Sequence, residues 1–139
     1  ADEYRELMKT FKAKVREDLK SKRRFARVTQ AFRFVYYDLV SRIIAEERQV
    51  IPCYGGVSNA HLSSHGEVWP CCVLGDTKTM GNVRDFDYDF HALWNSPKAA
   101  EVRKYIQDKN CACPLANQAY SNILCDMPSL AKVLWQVMR

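Results

Sequence analysis

The sequence lacks the features that mark several common classes of protein. No apolar run approaches the ~20 residues that a helix needs to cross a bilayer, so we expect no membrane-spanning helix. There is no glycine-rich loop that would hold phosphate and no arrangement of Ser, His and Asp that indicates nucleophilic catalysis. Internal repeats and low-complexity segments are also missing. These absences leave the cysteines as the main carriers of chemistry.

The length and composition indicate one domain, or one domain with a helical extension. The chain has 139 residues with a hydrophobic share of 47%, which supports a true core. Six cysteines could form three disulfides, but a chain of this size does not need them to fold. Grouped cysteines in an intracellular protein more often bind metal. We therefore expect a metal-binding protein of the cytoplasm.

The positive charge is concentrated in the N-terminal part. Residues 1–50 hold 13 of the 21 Lys and Arg and 8 of the 16 Asp and Glu, so the whole net charge of +5 lies there. The densest point is the run Lys20-Ser21-Lys22-Arg23-Arg24. Such a run could contact nucleic acid or an acidic partner. We favour a solvated helix face, because helices commonly carry one.

The N-terminal part is predicted to be helical. Residues 3–28 contain no Pro or Gly and are rich in strong helix formers. Leu7, Phe11, Val15 and Leu19 recur at four-residue spacing and predict an apolar stripe. A second helix is predicted over residues 30–48, unless the two join in one long kinked helix. We treat residues 1–50 as a helical extension.

A change of character follows Ile51 and Pro52, which break the helical pattern. We predict an α+β domain over residues 51–139, with a β-hairpin and several helices. Gly66 supplies the hairpin turn, since glycine tolerates positive φ. Gly81-Asn82-Val83 is predicted to be another turn or a short strand. The strands are predicted over residues 57–63 and 67–74, and the helices over residues 90–94, 97–109 and 128–138.

Two early and two late cysteines suit one metal centre. Cys53 lies just before the first predicted strand and Cys71 near the end of the second, so adjacent antiparallel strands would bring them close together. Cys111 and Cys113 are separated by one residue, so in an extended loop both can point the same way. A metal ion or an iron–sulfur cluster needs about four thiolates that converge from different segments. Cys72 should face away from Cys71 on a strand and be a small buried residue.

The order of these residues resembles the SPASM/twitch domain that follows the barrel of many radical S-adenosylmethionine enzymes. That family begins with a first cysteine, a spacer, a glycine, four residues and a second cysteine, as do Cys53, Gly66 and Cys71. Gly81-Asn82-Val83 and Trp94-Asn95-Ser96 are similar to two further landmarks of the family. The resemblance covers roughly residues 50–125.

The resemblance implies one auxiliary [4Fe–4S] cluster bound by Cys53, Cys71, Cys111 and Cys113. Cys125 is the alternative late ligand. Relatives with Cys-x-Cys often carry a third cysteine four residues later, where this chain has Asn117. Too few cysteines remain for the second cluster of a full SPASM domain, which indicates a one-cluster, twitch-like version. After purification in air the site would hold zinc or be empty.

The resemblance also implies a division of labour with a barrel domain in a parent chain. Radical chemistry in that family needs a Cys-x-x-x-Cys-x-x-Cys run, which this sequence lacks, and a barrel that needs more residues. We expect a C-terminal piece that is not catalytic alone and that supports electron transfer or substrate positioning. Full four-thiolate ligation favours these roles over direct binding of substrate to iron.

A second hypothesis comes from a different class of protein. The cysteines could hold zinc in an interaction module that binds nucleic acid or an acidic partner through the basic N-terminal helices. The cysteine spacing is not that of a zinc finger, which usually shows two close pairs. His61, His65 and His91 also lack tetrahedral zinc spacing, so we expect structural roles for them. Because we interpret the basic run as a solvated helix face, we do not expect nucleic-acid binding.

Overall fold

The computed structural model describes residues 2–21 and 25–139. These residues form α-helices, one short 3-10 helix and a small antiparallel sheet, which confirms the predicted α+β class. Lys22, Arg23 and Arg24 of the basic run lie outside the described residues. The elements are α1 (Asp2–Ser21), α2 (Phe25–Glu46), β1 (His61–Leu62), β2 (Glu67–Trp69), β3 (Gly81–Asn82), the 3-10 helix Val83–Phe86, α3 (Phe90–Trp94), α4 (Pro97–Gln107), α5 (Ala116–Cys125) and α6 (Met127–Met138).

The chain divides into two compact units. The first, here called the helical unit, joins the N-terminal residues up to Pro52 with Ala112–Arg139. In it α2 packs against α1, α5 and α6. Apolar side chains from all four helices fill one core, which stabilises helices that would be marginal in isolation. The buried members are Val15, Leu19, Ala31, Val35, Leu39, Ile43, Ala119, Ile123 and Val133.

The predicted apolar stripe of α1 is confirmed only in the C-terminal half of the helix. Val15 and Leu19 are buried, but Leu7 and Phe11 remain 49% and 40% exposed, and Met8 is buried instead. Four residues turn an α-helix by more than one full revolution, so a strict four-residue repeat drifts around the helix. Met8 lies seven residues before Val15, which is close to two full turns, and therefore stays on the buried face.

The second unit, Cys53–Cys111, contains the sheet and is here called the cysteine unit. Its strands run in the order β1-β2-β3, and Val68 pairs with both Leu62 and Gly81. The predicted strands were too long at both outer ends. Before β1, the amides of Val57 and Ser58 bond back to the carbonyl of Tyr54 in a turn. After β2, Pro70 has no N–H with which to continue the ladder.

The helices α3 and α4 were predicted almost to the residue. Ser96 caps α4 by accepting a hydrogen bond from the amide of Ala99 at 3.2 Å, and Pro97 is its first residue. The helix ends at Gln107 rather than Lys109, since Lys109 adopts a left-handed φ of 60°. The core beneath them contains Val68, Leu74, Met80, Leu93, Ala99, Val102 and Ile106, with Cys71 among them.

Helix α5 was not predicted. Leu115 precedes it without a side-chain hydrogen bond to its first turn, so the usual start signal is missing. Its buried face includes polar Gln118 and Asn122, which bond to each other at 2.9 Å. Packing of Ala119 and Ile123 into the core of the helical unit stabilises the helix. Of the helices in the described ranges, none combines the length and the apolar character needed to cross a membrane.

Candidate metal centre

Of the thiols in the cysteine unit, Cys71 has the environment that best suits a metal ligand. It lies two residues beyond β2, in the bend that follows the strand, and its side chain is buried. The backbone N–H groups of Leu74 and Val73 lie near its sulfur and act on its pKa as hydrogen-bond donors. Burial raises the pKa of the Cys71 thiol, these two donors lower it, and the nearby Cys53 and Cys72 raise it further.

These opposing effects suit a metal ligand. Burial disfavours a lone thiolate, whereas two amide dipoles directed at the sulfur favour negative charge on it. A bound cation would remove the cost of burying the thiolate, and a coordinated thiol is deprotonated. N–H donors to a ligand sulfur also fix its orientation and tune the metal. Cys71 therefore has an environment that suits a thiolate bound to a cation.

Cys53 and Cys111 pack against the same core as Cys71. Both are partly buried, and Cys53 is close enough to Cys71 for their charges to interact. The cysteine unit thus brings three of the four predicted ligands to one core. Within residues 2–21 and 25–139, no group of three or more His, Cys, Asp or Glu side chains is already gathered as a metal site would be. No disulfide joins any two cysteines of the described residues.

A turn at Gly56 brings the segments of Cys53 and Cys71 together. The amide of Gly56 lies 2.9 Å from the carbonyl oxygen of Asn59 and 3.0 Å from that of Pro70. Gly56 has a φ of 71°, and a Cβ there would lie 3.1 Å from the Cβ of Pro70. Only glycine fits this crossing without strain. No local pattern in the sequence indicates this role, because the crossing joins residues far apart in the chain.

Gly66 forms a tight turn that contacts Asn82 and Val83. Its φ is 87°, and a Cβ there would lie 2.7 Å from Oδ1 of Asn82. The amide of Val83 donates to the carbonyl of Gly66 at 2.8 Å, and Nδ2 of Asn82 donates to the carbonyl of His65 at 3.0 Å. The positive φ predicted for Gly66 is confirmed. Two sequence landmarks, Gly66 and Asn82, therefore meet at this turn.

Arg103 supports the turn at Gly56 and was not predicted to have a role. Its guanidinium donates to the carbonyl of Gly56 at 2.6 Å and to that of Trp94 at 2.7 Å. It also stacks 4.5 Å from the centre of the Trp94 ring, and burial lowers its pKa. Arg103 thereby links α4 to the loop that follows Cys53. Nothing in the local sequence indicated these contacts, because both acceptors are backbone carbonyls.

Cys113 belongs to the helical unit, where the loop before α5 is held by hydrogen bonds. The amide of Leu115 lies 3.4 Å from the sulfur of Cys113, and the hydroxyl of Tyr36 donates to the carbonyl of Pro114 at 2.9 Å. Burial raises the pKa of Tyr36, and the neighbouring Tyr4, Tyr120, Tyr37 and Cys113 raise it further. Because one residue separates Cys113 from Cys111, their Cα atoms stay within about 7 Å of each other.

Comparison with known families assigns the segment that contains these cysteines. Residues 53–114 match the sequence model of SPASM, an iron–sulfur cluster-binding domain. This segment is a SPASM domain. The matched range begins at Cys53 and includes Cys71, Cys111 and Cys113, whereas Cys125 lies outside it. No curated protein matches the chain, and no solved structure matches it.

The residues present in the SPASM domain fit an iron–sulfur cluster. Cysteine thiolates are the usual ligands of such clusters, and N–H groups directed at their sulfurs are a recognised means of stabilising them. Cys71 has two such donors, and apolar residues of the core surround it. The family match and the environment of Cys71 both indicate that this segment binds an iron–sulfur cluster.

The two remaining cysteines differ from the predicted ligands. Cys72 is exposed, so the prediction that it is a small buried residue was wrong. The reason is that β2 ends at Trp69, and the strand alternation on which the prediction depended does not reach Cys72. Cys125 is the last residue of α5 and is also exposed.

Proposed function

We propose that Cys53, Cys71, Cys111 and Cys113 bind one [4Fe–4S] cluster. The observation that carries the proposal is the environment of Cys71, a buried thiol with two backbone donors beside Cys53 in a SPASM domain. For the late pair, Cys113 is preferred to Cys125. Cys113 accepts the amide of Leu115 and lies inside the matched range, whereas Cys125 lies beyond it.

We further propose that the domain is an auxiliary part of a radical S-adenosylmethionine enzyme of the cytoplasm, with the barrel as its partner domain. When bound, the cluster would supply a one-electron store whose irons are closed by four thiolates. This closure favours electron transfer or substrate positioning. The chain contributes the amides of Val73 and Leu74 to stabilise the ligand sulfur, and apolar side chains such as Val68 and Leu74 to exclude water.

Anaerobic reconstitution tests the proposed cluster. The purified chain is loaded with iron and sulfide, and both are then quantified together with the Mössbauer spectrum. We expect about four iron and four sulfide per chain, as a single [4Fe–4S] cluster requires. Cys113→Ser should lower the iron content, whereas Cys125→Ser should not. The opposite result for these two variants would assign the late ligand to Cys125.

The same preparation tests the zinc hypothesis. One zinc per chain without sulfide, retained under anaerobic conditions, would support a zinc-stabilised interaction module instead of a cluster domain. The thiolates would suit either metal, since both zinc and iron–sulfur clusters use tetrahedral sulfur sites. The match to an iron–sulfur cluster-binding domain is the reason for preferring the cluster.

A further inference from the structure

The helical unit contains a basic pocket apart from its apolar core. The pocket has a volume of about 580 Å³, which is within the range typical of small-molecule sites. Residues from α1, α2 and α6 line it, together with the last residue of the chain. The lining consists of Arg16, Leu19, Lys20, Arg27, Gln136 and Arg139. We refer to it as the basic pocket.

The cations of the basic pocket are not balanced by described acidic side chains. No Asp or Glu of the described ranges lines the pocket. Elsewhere on α1 and α2, basic residues form ion pairs, as Lys9 does with Glu6 and Lys12 with Asp38. None of the ion pairs among the described residues includes Arg16, Lys20 or Arg27. Several like charges around one cavity repel each other unless an anion binds there.

Arg27 contributes an unsatisfied hydrogen-bond donor to the pocket. Its Nε is buried and has no hydrogen-bond partner in the described structure. A buried donor left without an acceptor costs free energy, more so when the group is charged. Arginine keeps its charge in proteins, so loss of the proton cannot relieve this cost. An acceptor that enters the pocket would relieve it, and an anion would serve best.

The cations around Arg27 are arranged as in a binding site and not as on a solvated helix face. The guanidinium of Arg16 lies 5.0 Å from the centre of the Phe34 ring. This contact already restricts the side chain, so Arg16 loses less conformational entropy when a ligand binds. Arg16 and Lys20 are four residues apart on α1 and therefore lie on one face, while Arg27 comes from α2. The cations thus surround a concave space from two helices.

We propose that the basic pocket binds the phosphate groups of a small phosphorylated ligand, such as a diphosphate. Arginine guanidinium groups match phosphate oxygens with paired, charge-assisted hydrogen bonds, and lysine adds a point charge. A compact ligand is favoured over nucleic acid because the cations line a cavity, whereas nucleic-acid surfaces present an extended basic stripe. The site is independent of the cysteines and of the proposed cluster.

Calorimetric titration of the full chain with inorganic pyrophosphate tests the proposal. We expect saturable binding with one site per chain. Arg27→Gln and Lys20→Gln should each weaken the affinity at least ~10-fold, as the loss of a hydrogen bond to a charged group predicts. Lys98→Gln removes the same charge from an exposed position on α4 and serves as the matched control. It should change the affinity less than ~2-fold, the effect of a distant, screened charge.

Three results would overturn the proposal. The first is the lack of saturable binding, and the second is equal weakening by Lys20→Gln and Lys98→Gln, which would show attraction by net charge alone. The third is binding of a labelled single-stranded oligonucleotide that depends on Arg27 and that excess pyrophosphate does not displace. Thermal melts accompany each variant. If Arg27→Gln unfolds, Lys20→Gln alone decides, because Lys20 is exposed and its replacement leaves the core intact.

Discussion

At the scale of single residues, the adjacent cysteines Cys71 and Cys72 have opposite environments. Cys71 is buried and has two backbone N–H groups near its sulfur, while Cys72 is exposed. Both are chemically the same thiol, so sequence alone could not separate them except by spacing from Gly66. The bend after β2 accounts for this difference, because it places the amides of Val73 and Leu74 near the Cys71 sulfur.

This difference predicts unequal effects of two matched substitutions. Cys71→Ala should greatly lower the melting temperature of the cluster-loaded chain, because ligand binding is coupled to folding. Cys72→Ala should change the free energy of unfolding by no more than about 0.5 kcal/mol, as is usual at exposed positions. Anaerobic thermal melts of both variants measure the effect. Equal losses would contradict the assignment of Cys71 as a ligand.

Gly66 allows a second prediction about a single residue. Gly66→Ala should reduce the free energy of unfolding of the cysteine unit by about 1–3 kcal/mol, because alanine would be strained at this φ and would clash with Asn82. Denaturant titration of the metal-free chain measures this loss. Ser64→Ala, at an exposed position of the same turn, is the control and should have little effect. Similar losses in both variants would argue against the close contact with Asn82.

At the scale of elements, helix α2 supports the loop that carries Cys113. Tyr36 on α2 donates to Pro114, and its ring lies 5.3 Å from that of Tyr120 on α5. The ring contact joins α2 to α5, and the hydrogen bond of Tyr36 joins α2 to the loop that precedes α5. This arrangement depends on contacts between residues far apart in sequence, which explains why no local motif indicated it.

The raised pKa of Tyr36 predicts how the stability of the chain depends on pH. The pKa of Tyr36 is raised above its ordinary value of 10.0, chiefly by burial. The folded state therefore holds this proton more tightly than the unfolded state does. The resulting stabilisation is complete below pH 10 and is lost as the pH rises through the raised pKa.

Tyr36→Phe isolates this contribution. The variant should lose the hydrogen bond to Pro114, which costs about 1 kcal/mol near neutral pH. Its free energy of unfolding should then fall less steeply than that of the wild type above pH 10. Denaturant titrations at several pH values measure both slopes. A variant with the same slope as the wild type would show that Tyr36 does not contribute to the pH dependence.

At the scale of the whole molecule, the proposed role depends on what the chain can do alone. Reductive cleavage of S-adenosylmethionine needs a cluster with one iron open to that cofactor. The sequence has no Cys-x-x-x-Cys-x-x-Cys run to provide one. We expect the reconstituted chain, incubated with S-adenosylmethionine and a reductant, to give no 5′-deoxyadenosine by chromatography. Formation of this product above a cluster-free control would contradict the auxiliary role.

The sequence by itself determined the features that depend on spacing and on local chemistry. The order of Cys53, Gly66 and Cys71, together with the landmarks Gly81-Asn82-Val83 and Trp94-Asn95-Ser96, indicated the SPASM family, and residues 53–114 match it. The cap and first residue of α4 followed from Ser96 and Pro97, because capping involves residues close together in the chain. The α+β class followed from helical and strand-like patterns, which are also local. The four-cysteine ligand set stays a prediction.

Only the tertiary structure decided what depends on distant contacts. Helix α5 is stabilised by packing rather than by a capping signal, and the strands are short because the Gly56 turn and Pro70 end them. The burial of Cys71, the exposure of Cys72 and the hydrogen bonds of Arg103 could not be read from spacing. The basic pocket likewise forms only when α1, α2 and α6 come together. Burial and hydrogen bonding arise between segments, so they become defined only when the chain folds.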